Sequence, residues 1–400
     1  MISLPFLILM VFFFYSQCFF LDYILFGIES ISYGKLLSMS VFSDDYFHIV
    51  ILYFTFFIGF AVVLLLADPP TTIIREVHVY DENRLYNIML LVGVCLLMIF
   101  ITKNIYGTGR LEKIAFFASH KILSIPLNIA TFGCLILFFK NRVNRKGSYA
   151  FYMLSIIIVG FGLVEGGREI FIYILFAYLF SRNKTTINLK EVLMGIICFT
   201  LILFWKTISV FLFELNDAAR LVRFISGNYR FSFSNMDPQT SLLMIRDYIN
   251  GDSFYDQFRF SYVLNTLKQF LRTLRLIEYS SISESVSAYY IPTSAKSGAG
   301  VAFSGLLESM LNFWYFGPII LGVSLGWVSL KIYYLKYKSF FLYGVFSLFF
   351  MIISIKLVRT ELAVILKIYV LPMTLAYFFF YKLSFSKRVR RIMKLHNTEC

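Results

Sequence analysis

Ser304, Glu308 and Asn312 fall at four-residue intervals. On a helix this puts a hydroxyl, a carboxyl and an amide on one face. Their segment, Gly298 to Phe313, is largely apolar and is interrupted by Gly300, Gly305, Glu308 and Asn312. A carboxyl in such surroundings suits general acid or base work. The plainer reading is a carboxylate neutralised by a basic side chain, and the apolar setting favours chemistry. Two short turns add cations. Val164-Glu165-Gly166-Gly167-Arg168-Glu169 sets two carboxylates and a guanidinium between apolar runs. Its glycines allow close approach of a ligand, and Arg168 has the planar fork that grips phosphate. An interfacial arginine paired with Glu165 and Glu169 fits equally well. Lys356-Leu357-Val358-Arg359-Thr360-Glu361 repeats these ingredients. Alone it reads as an ordinary connection, with Arg359 neutralising Glu361. Two such turns point to a common anionic group.

Other polar residues carry less. Lys206 and Lys367 lie within apolar runs, where snorkelling to the headgroups accounts for them. Asp44-Asp45, with His48 nearby, is a common pattern in a polar loop, and no metal site is expected there. His120 reads as interfacial. No CxxC, Walker A, HExxH, GxSxG or GxGxxG framework is present.

The elements that must position these residues follow from composition. Of 400 residues, 59% are hydrophobic and 15% charged. Soluble domains carry about 25% charged residues, so the solvent for much of this chain is lipid. The 47 Phe and 27 Tyr suit lipid-facing surface and interfacial belts. The formal charge of +14 does not imply nucleic acid, because most of it lies in short segments between apolar runs. Cys18, Cys95, Cys134 and Cys198 lie inside such runs, so no disulfide framework is expected. The first run has neither a basic leader nor a small-residue cleavage site, and it reads as a retained helix.

A span needs about 20 mostly apolar residues. Ten candidates occur, near 3–27, 47–67, 86–103, 122–139, 149–164, 169–181, 191–213, 313–330, 340–355 and 362–381. The expected fold is all-α and polytopic. Residues 1–213 hold seven spans, 214–300 form a large loop, 301–382 hold three spans, and 383–400 form a basic tail. With both ends cytoplasmic, cytoplasmic segments carry 18 Lys and Arg against 8 in the short outer loops. This is the bias the positive-inside rule expects. The turns at 164–169 and 356–361 and the loop at 214–300 then share the outer side. Gly298–Phe313 reads as a half-helix at that mouth. Within the loop, Ser261–Ile277 reads as a helix. Leu264, Leu267, Leu271 and Leu274 form a stripe beside the basic residues Lys268, Arg272 and Arg275, so the helix is suited to lying on the outer leaflet.

Three features together resemble the Wzy-type O-antigen polymerases. These are the many helices with one large loop in the second half, the turn Gly166-Gly167-Arg168-Glu169 opening a helix, and the run from Gly298 to Gly317. That run looks like the family's glycine-rich loop, then glutamate, then Asn-Phe and glycine. The architecture covers the whole chain, whereas the motifs cover about thirty residues. The resemblance implies a glycosyltransferase of the bacterial inner membrane with its site facing the periplasm. It would transfer the growing glycan from undecaprenyl pyrophosphate onto the non-reducing end of an incoming undecaprenyl-pyrophosphate-linked repeat unit. No cofactor or metal is implied. The lipid bilayer, the lipid-linked oligosaccharides and a chain-length regulator protein are the expected partners, and nucleic acid is not. In this scheme Glu308, Glu165 and Glu169 are the acid–base candidates. Arg168, Arg359, Arg272 and Arg275 are the pyrophosphate-binding candidates, and Asn312 and Ser304 position the acceptor.

Four other readings compete. A lipid-linked-oligosaccharide flippase would need two similar halves, and the late loop breaks any such symmetry. An O-antigen ligase shares the chemistry and differs in its acceptor. A membrane acyltransferase would want a histidine-based site, and the chain has four histidines. A scaffold leaves the charged outer turns unexplained.

Overall fold

In lipid each backbone N–H and C=O must be satisfied within its own segment, so apolar runs become helices. The computed structural model describes residues 4–33, 37–67, 74–82, 84–105, 116, 124–144, 169–181, 193, 197, 238–273, 276–292, 295, 303–383 and 385–394. In chain order the helices begin with α1 (Leu4–Phe26), α2 (Asp44–Leu65), α3 (Arg84–Ile105), α4 (Ser124–Asn144) and α5 (Glu169–Phe180). A second group comprises α6 (Pro238–Ile249), α7 (Ser261–Thr273) and α8 (Ile282–Tyr290), with a 3₁₀ turn at Ser253–Phe258 between α6 and α7. The last group is α9 (Gly305–Phe313), α10 (Gly317–Lys338), α11 (Phe340–Leu357), α12 (Leu362–Ile365) and α13 (Leu371–Tyr377). A π-turn at Leu366–Val370 carries α12 into α13, and another follows at Phe378–Leu383.

Five stretches among the described residues are long and apolar enough to cross a membrane. They are Leu4–Phe26, Asp44–Leu65, Gly305–Lys338, Phe340–Leu357 and Leu362–Tyr381. The protein is therefore a helical membrane protein, while the ten-span count is met only in part. The helices α3 and α4 contain shorter apolar stretches, Val92–Asn104 and Ile125–Lys140. The expected spans at 149–164 and 191–213 lie outside the described residues, apart from Leu193 and Ile197.

The fold is helical as expected, with two short antiparallel strand pairs beside the helices. Strands β1 (Ser30–Tyr33) and β2 (Leu37–Ser40) form an antiparallel hairpin, and β3 (Ile74–Glu82) pairs antiparallel with β4 (Phe385–Lys394). The basic tail thus contributes a strand. β3 supplies the ladder partner that the tail lacks locally.

The hairpin packs on the second group of helices. Gln239 donates to the Ser32 carbonyl and Arg246 to the Ser38 carbonyl, while Asn250 reaches Asp45 at 3.5 Å. Asp44 and Asp45 open α2 behind the N-cap Ser43, where carboxylates complement the helix dipole.

The core of the bundle is the seam between α2 and α10, with α1 beside it. Phe12 of α1 stacks on Phe56 of α2 at 4.2 Å. Gly322 lets the two backbones touch, since a Cβ there would lie 2.2 Å from the Phe56 carbonyl oxygen. Small residues bring membrane helices this close because packing replaces the hydrophobic effect in lipid. Gly322→Leu should therefore force α2 and α10 apart. Overpacking costs about 1–3 kcal/mol, and here it strikes backbone. We expect a clear fall in the melting temperature of the detergent-purified protein, or loss of folded yield, and an unchanged melting curve would contradict the seam.

Between α9 and α10 the chain breaks. Trp314 has φ of 52°, and a 3₁₀ turn spans Trp314–Phe316. A Cβ on Gly317 would lie 2.2 Å from the Ser309 carbonyl oxygen. In a continuous helix those residues would be about 12 Å apart. The start of α10 therefore folds back against α9, and α9 is a separate nine-residue helix.

Candidate functional site

The short helix α9 is buried along its length from Gly305 to Leu311. Ser304 caps it, its hydroxyl accepting from the Leu306 N–H at 3.1 Å and sharing a hydrogen bond with Tyr53 of α2. One turn on, Glu308 is fully buried. Its Oε2 accepts from the Leu362 N–H at 2.7 Å, at the first residue of α12. Its Oε1 has no hydrogen-bond partner among the described residues. Another turn on, Asn312 accepts from the Tyr262 N–H at 2.9 Å, and its amide donates to Ser261 Oγ at 2.9 Å and to the Glu308 carbonyl at 2.7 Å. The three residues predicted to share a helical face thus have distinct tasks. Ser304 starts the helix, Glu308 meets α12, and Asn312 anchors the start of α7.

A second buried carboxylate faces the first. Glu361 precedes α12, is fully buried, and lies within electrostatic reach of Glu308. Its Oε2 accepts from Asn265 Nδ2 at 3.1 Å and from the Ile282 N–H at 2.9 Å, the first residue of α8. Its Oε1, like that of Glu308, has no hydrogen-bond partner among the described residues. Burial pushes its pKa up to about 7, against the opposing pull of Asn265 and the Ile282 N–H. Each carboxylate therefore binds the N-terminus of a helix from another part of the chain, and each keeps one oxygen unsatisfied. Buried polar atoms are rarely left so, and such exceptions point to function.

The surrounding groups are phenols and amides. The Tyr279 hydroxyl donates to Asn265 Oδ1 at 2.8 Å, which fixes the Asn265 amide toward Glu361. Burial, then Glu361 and Glu308, push the Tyr279 phenol up to about 12. Burial, then Glu308, raises the Tyr262 phenol. Both rings stay neutral hydrogen-bonding groups at ordinary pH.

The cationic candidates sit at the margin. Arg359 lies in the turn before Glu361, partly buried, and its carbonyl accepts from the Phe303 N–H at 3.0 Å. This ties the turn to the entry of α9. Lys356 is buried at the end of α11, its Nζ 4.9 Å from the centre of the Tyr369 ring. Arg272 forks onto Glu284 with bonds of 2.5 and 3.2 Å, and Glu284 also closes a capping box with Ser281 at the start of α8. Arg272 also borders an open cleft with Leu276, Ile277, Glu278, Tyr279 and Ser280. Glu165, Arg168 and Arg275 lie outside the described residues, and of Glu169 only the backbone, at the first position of α5, is described.

The structure thus brings Ser304, Glu308 and Asn312 together with the turn carrying Arg359, and it adds Glu361, Asn265, Tyr262 and Tyr279, which the sequence reading did not assign. Glu361 abuts an apolar span in the sequence, but Arg359 two residues before it gives it a local counter-charge that hides the role. The arrangement offers two buried carboxyl oxygens to a proton or a hydroxyl, under a roof made by α7 and α8. No family model, curated protein or solved structure matches the chain.

Proposed function

We propose that the chain is a membrane glycosyltransferase of the Wzy type. It would join lipid-linked oligosaccharide repeat units at the periplasmic face of the bacterial inner membrane. The observation that carries this reading is the Oε1 of Glu308, fully buried on a half-helix and without a hydrogen-bond partner among the described residues. In the reaction, an acceptor sugar hydroxyl gives its proton to Glu308 as its oxygen bonds to the anomeric carbon of the donor glycan. The bond from that carbon to the undecaprenyl pyrophosphate breaks, and the electron pair leaves with the phosphate. Glu361 sets the charge around Glu308, and Asn312 acts through α7. Arg359, beside Glu361, and Arg168 in the other arginine turn stabilise the departing pyrophosphate. The work suits arginine, because preorganised donors act most strongly where water is excluded.

Deleting the gene and separating surface polysaccharide on a gel tests the reaction. A polymerase leaves core carrying a single repeat unit, whereas loss of all O-antigen from the core would overturn polymerase in favour of ligase or flippase. Arginine variants test the clamp. Lysine keeps the charge but loses the bidentate fork, and a hydrogen bond to a charged group is worth about 1.5–3 kcal/mol, or roughly ten- to a hundred-fold in rate. Arg168→Lys should insert normally and fail to restore long chains, with Arg359→Lys impaired less. Full activity in both, at matched protein level, would leave them as interfacial anchors.

A further inference from the structure

Helix α7 is inside out by the standard of a water-soluble protein. Its polar edge, Ser261, Asn265 and Gln269, is buried against α9, α12 and the turn before α12 that carries Glu361. Its apolar edge faces outward, with Val263 75%, Leu264 50%, Leu267 54% and Phe270 61% exposed. These four fall on one stripe of the helix. A soluble protein rarely leaves such a contiguous apolar surface bare.

The stripe does not end at α7. Phe260 precedes it, exposed, and the Tyr262 ring lies 6.0 Å from Phe313. From there the exposed surface runs through Phe313, Trp314 and Phe316 into α10, which belongs to a membrane-spanning stretch. The outward face of α7 is therefore continuous with lipid-facing surface. Its margins are cationic and amphipathic. Arg259 lies over the Trp314 ring at 5.9 Å and Lys268 over the Tyr279 ring at 5.3 Å. Aromatic rings with a cation at their edge suit the headgroup level, where long basic side chains reach water from an apolar footing.

We propose that α7 is seated in the interfacial layer of the bilayer, with Val263, Leu264, Leu267 and Phe270 among the acyl chains. The phospholipid interface is thus the outer boundary of the carboxylate site. Only the thickness of α7 separates lipid from the Asn265–Glu361 hydrogen bond. This follows from the geometry of α7 and does not rest on the proposed reaction.

The test is spin labelling in proteoliposomes of phosphatidylethanolamine and phosphatidylglycerol. With the native cysteines replaced, a nitroxide is placed singly at Val263→Cys, Leu267→Cys or Phe270→Cys, and at Gln257→Cys as an exposed polar reference. Collisions with dissolved oxygen, which concentrates in lipid, should exceed those with a water-soluble nickel chelate at the three stripe positions. The order should reverse at Gln257→Cys. A chelate-dominated result at Leu267→Cys would put the stripe in water and overturn the proposal. Protection from both reagents would mean that protein covers it, a second copy or another chain, and would overturn it equally. Labels at exposed positions spare the core, and a melting curve of each labelled protein confirms folding. Loss of glycan polymerisation in Glu308→Gln has no bearing on this readout.

Discussion

Glu308→Gln should eliminate long glycan chains while leaving an inserted, folded protein. Glutamine has nearly the same shape, and its side-chain carbonyl can still accept from the Leu362 N–H, which Glu308 holds at 2.7 Å. The contact between α9 and α12 therefore survives. The ability to take a proton does not. General acid–base groups contribute about 10²–10⁴-fold in rate, which in a chain-extension reaction is enough to erase the upper ladder. The measurement is the polysaccharide ladder in a deletion strain carrying the variant, beside an immunoblot for protein level. Glu308→Ala is the contrasting variant, since it frees the Leu362 N–H in a buried place and should lower accumulation as well. A normal ladder in Glu308→Gln would remove this residue from the chemistry.

The second large effect concerns pH and Glu361. Its carboxyl titrates near pH 7 in the folded protein, against an ordinary value of 4.5, because burial disfavours the charged form. Between those values the native state binds more protons than the unfolded state. Stability from this group is therefore fully present below about pH 4.5 and is lost as pH rises to about 7. Above that, a buried charge must be carried. The strain falls on what Glu361 holds, namely Asn265 of α7 and the Ile282 N–H of α8. Hydrogen exchange of the α7–α8 segment, corrected for intrinsic base catalysis, should speed up as pH passes 7. Glu361→Gln imitates the protonated carboxyl and should flatten that dependence, holding the segment protected at high pH. An identical pH profile in wild type and Glu361→Gln would assign the titration elsewhere.

These residues show what a sequence can convey. The spans of α1, α2, α10 and α11, and the run from α12 through α13, are legible because twenty apolar residues in a row have one good solution in lipid. The half-helix α9 was legible from its interrupting glycines and polar residues, and Glu308 stood out for its setting. The role of Glu361 was not legible. In the chain it stands two residues from Arg359, and local charge balance is the natural reading, whereas the fold turns its carboxylate to Asn265 and Ile282. The leucine stripe of α7 announced an amphipathic helix, but only packing decides that Asn265 and Gln269 turn inward and Leu264 and Leu267 outward. Strands β3 and β4 are some three hundred residues apart in sequence, and neither has a local partner to betray it.

The cross-capping by Glu361 also bears on the order of biosynthesis. Asn265 and Ile282 precede Glu361 by 96 and 79 residues. The ribosome therefore finishes α7 and α8 well before their anchor exists. Until α11 has been threaded through the translocon, those helices are held by each other, the Arg272–Glu284 bridge, the Tyr290–Asp247 bond, Asn312 of α9 and the leaflet, without the carboxylate that joins them. The carboxylate centre therefore closes late, and chains stopped short of Glu361 would fill the membrane without ever forming it.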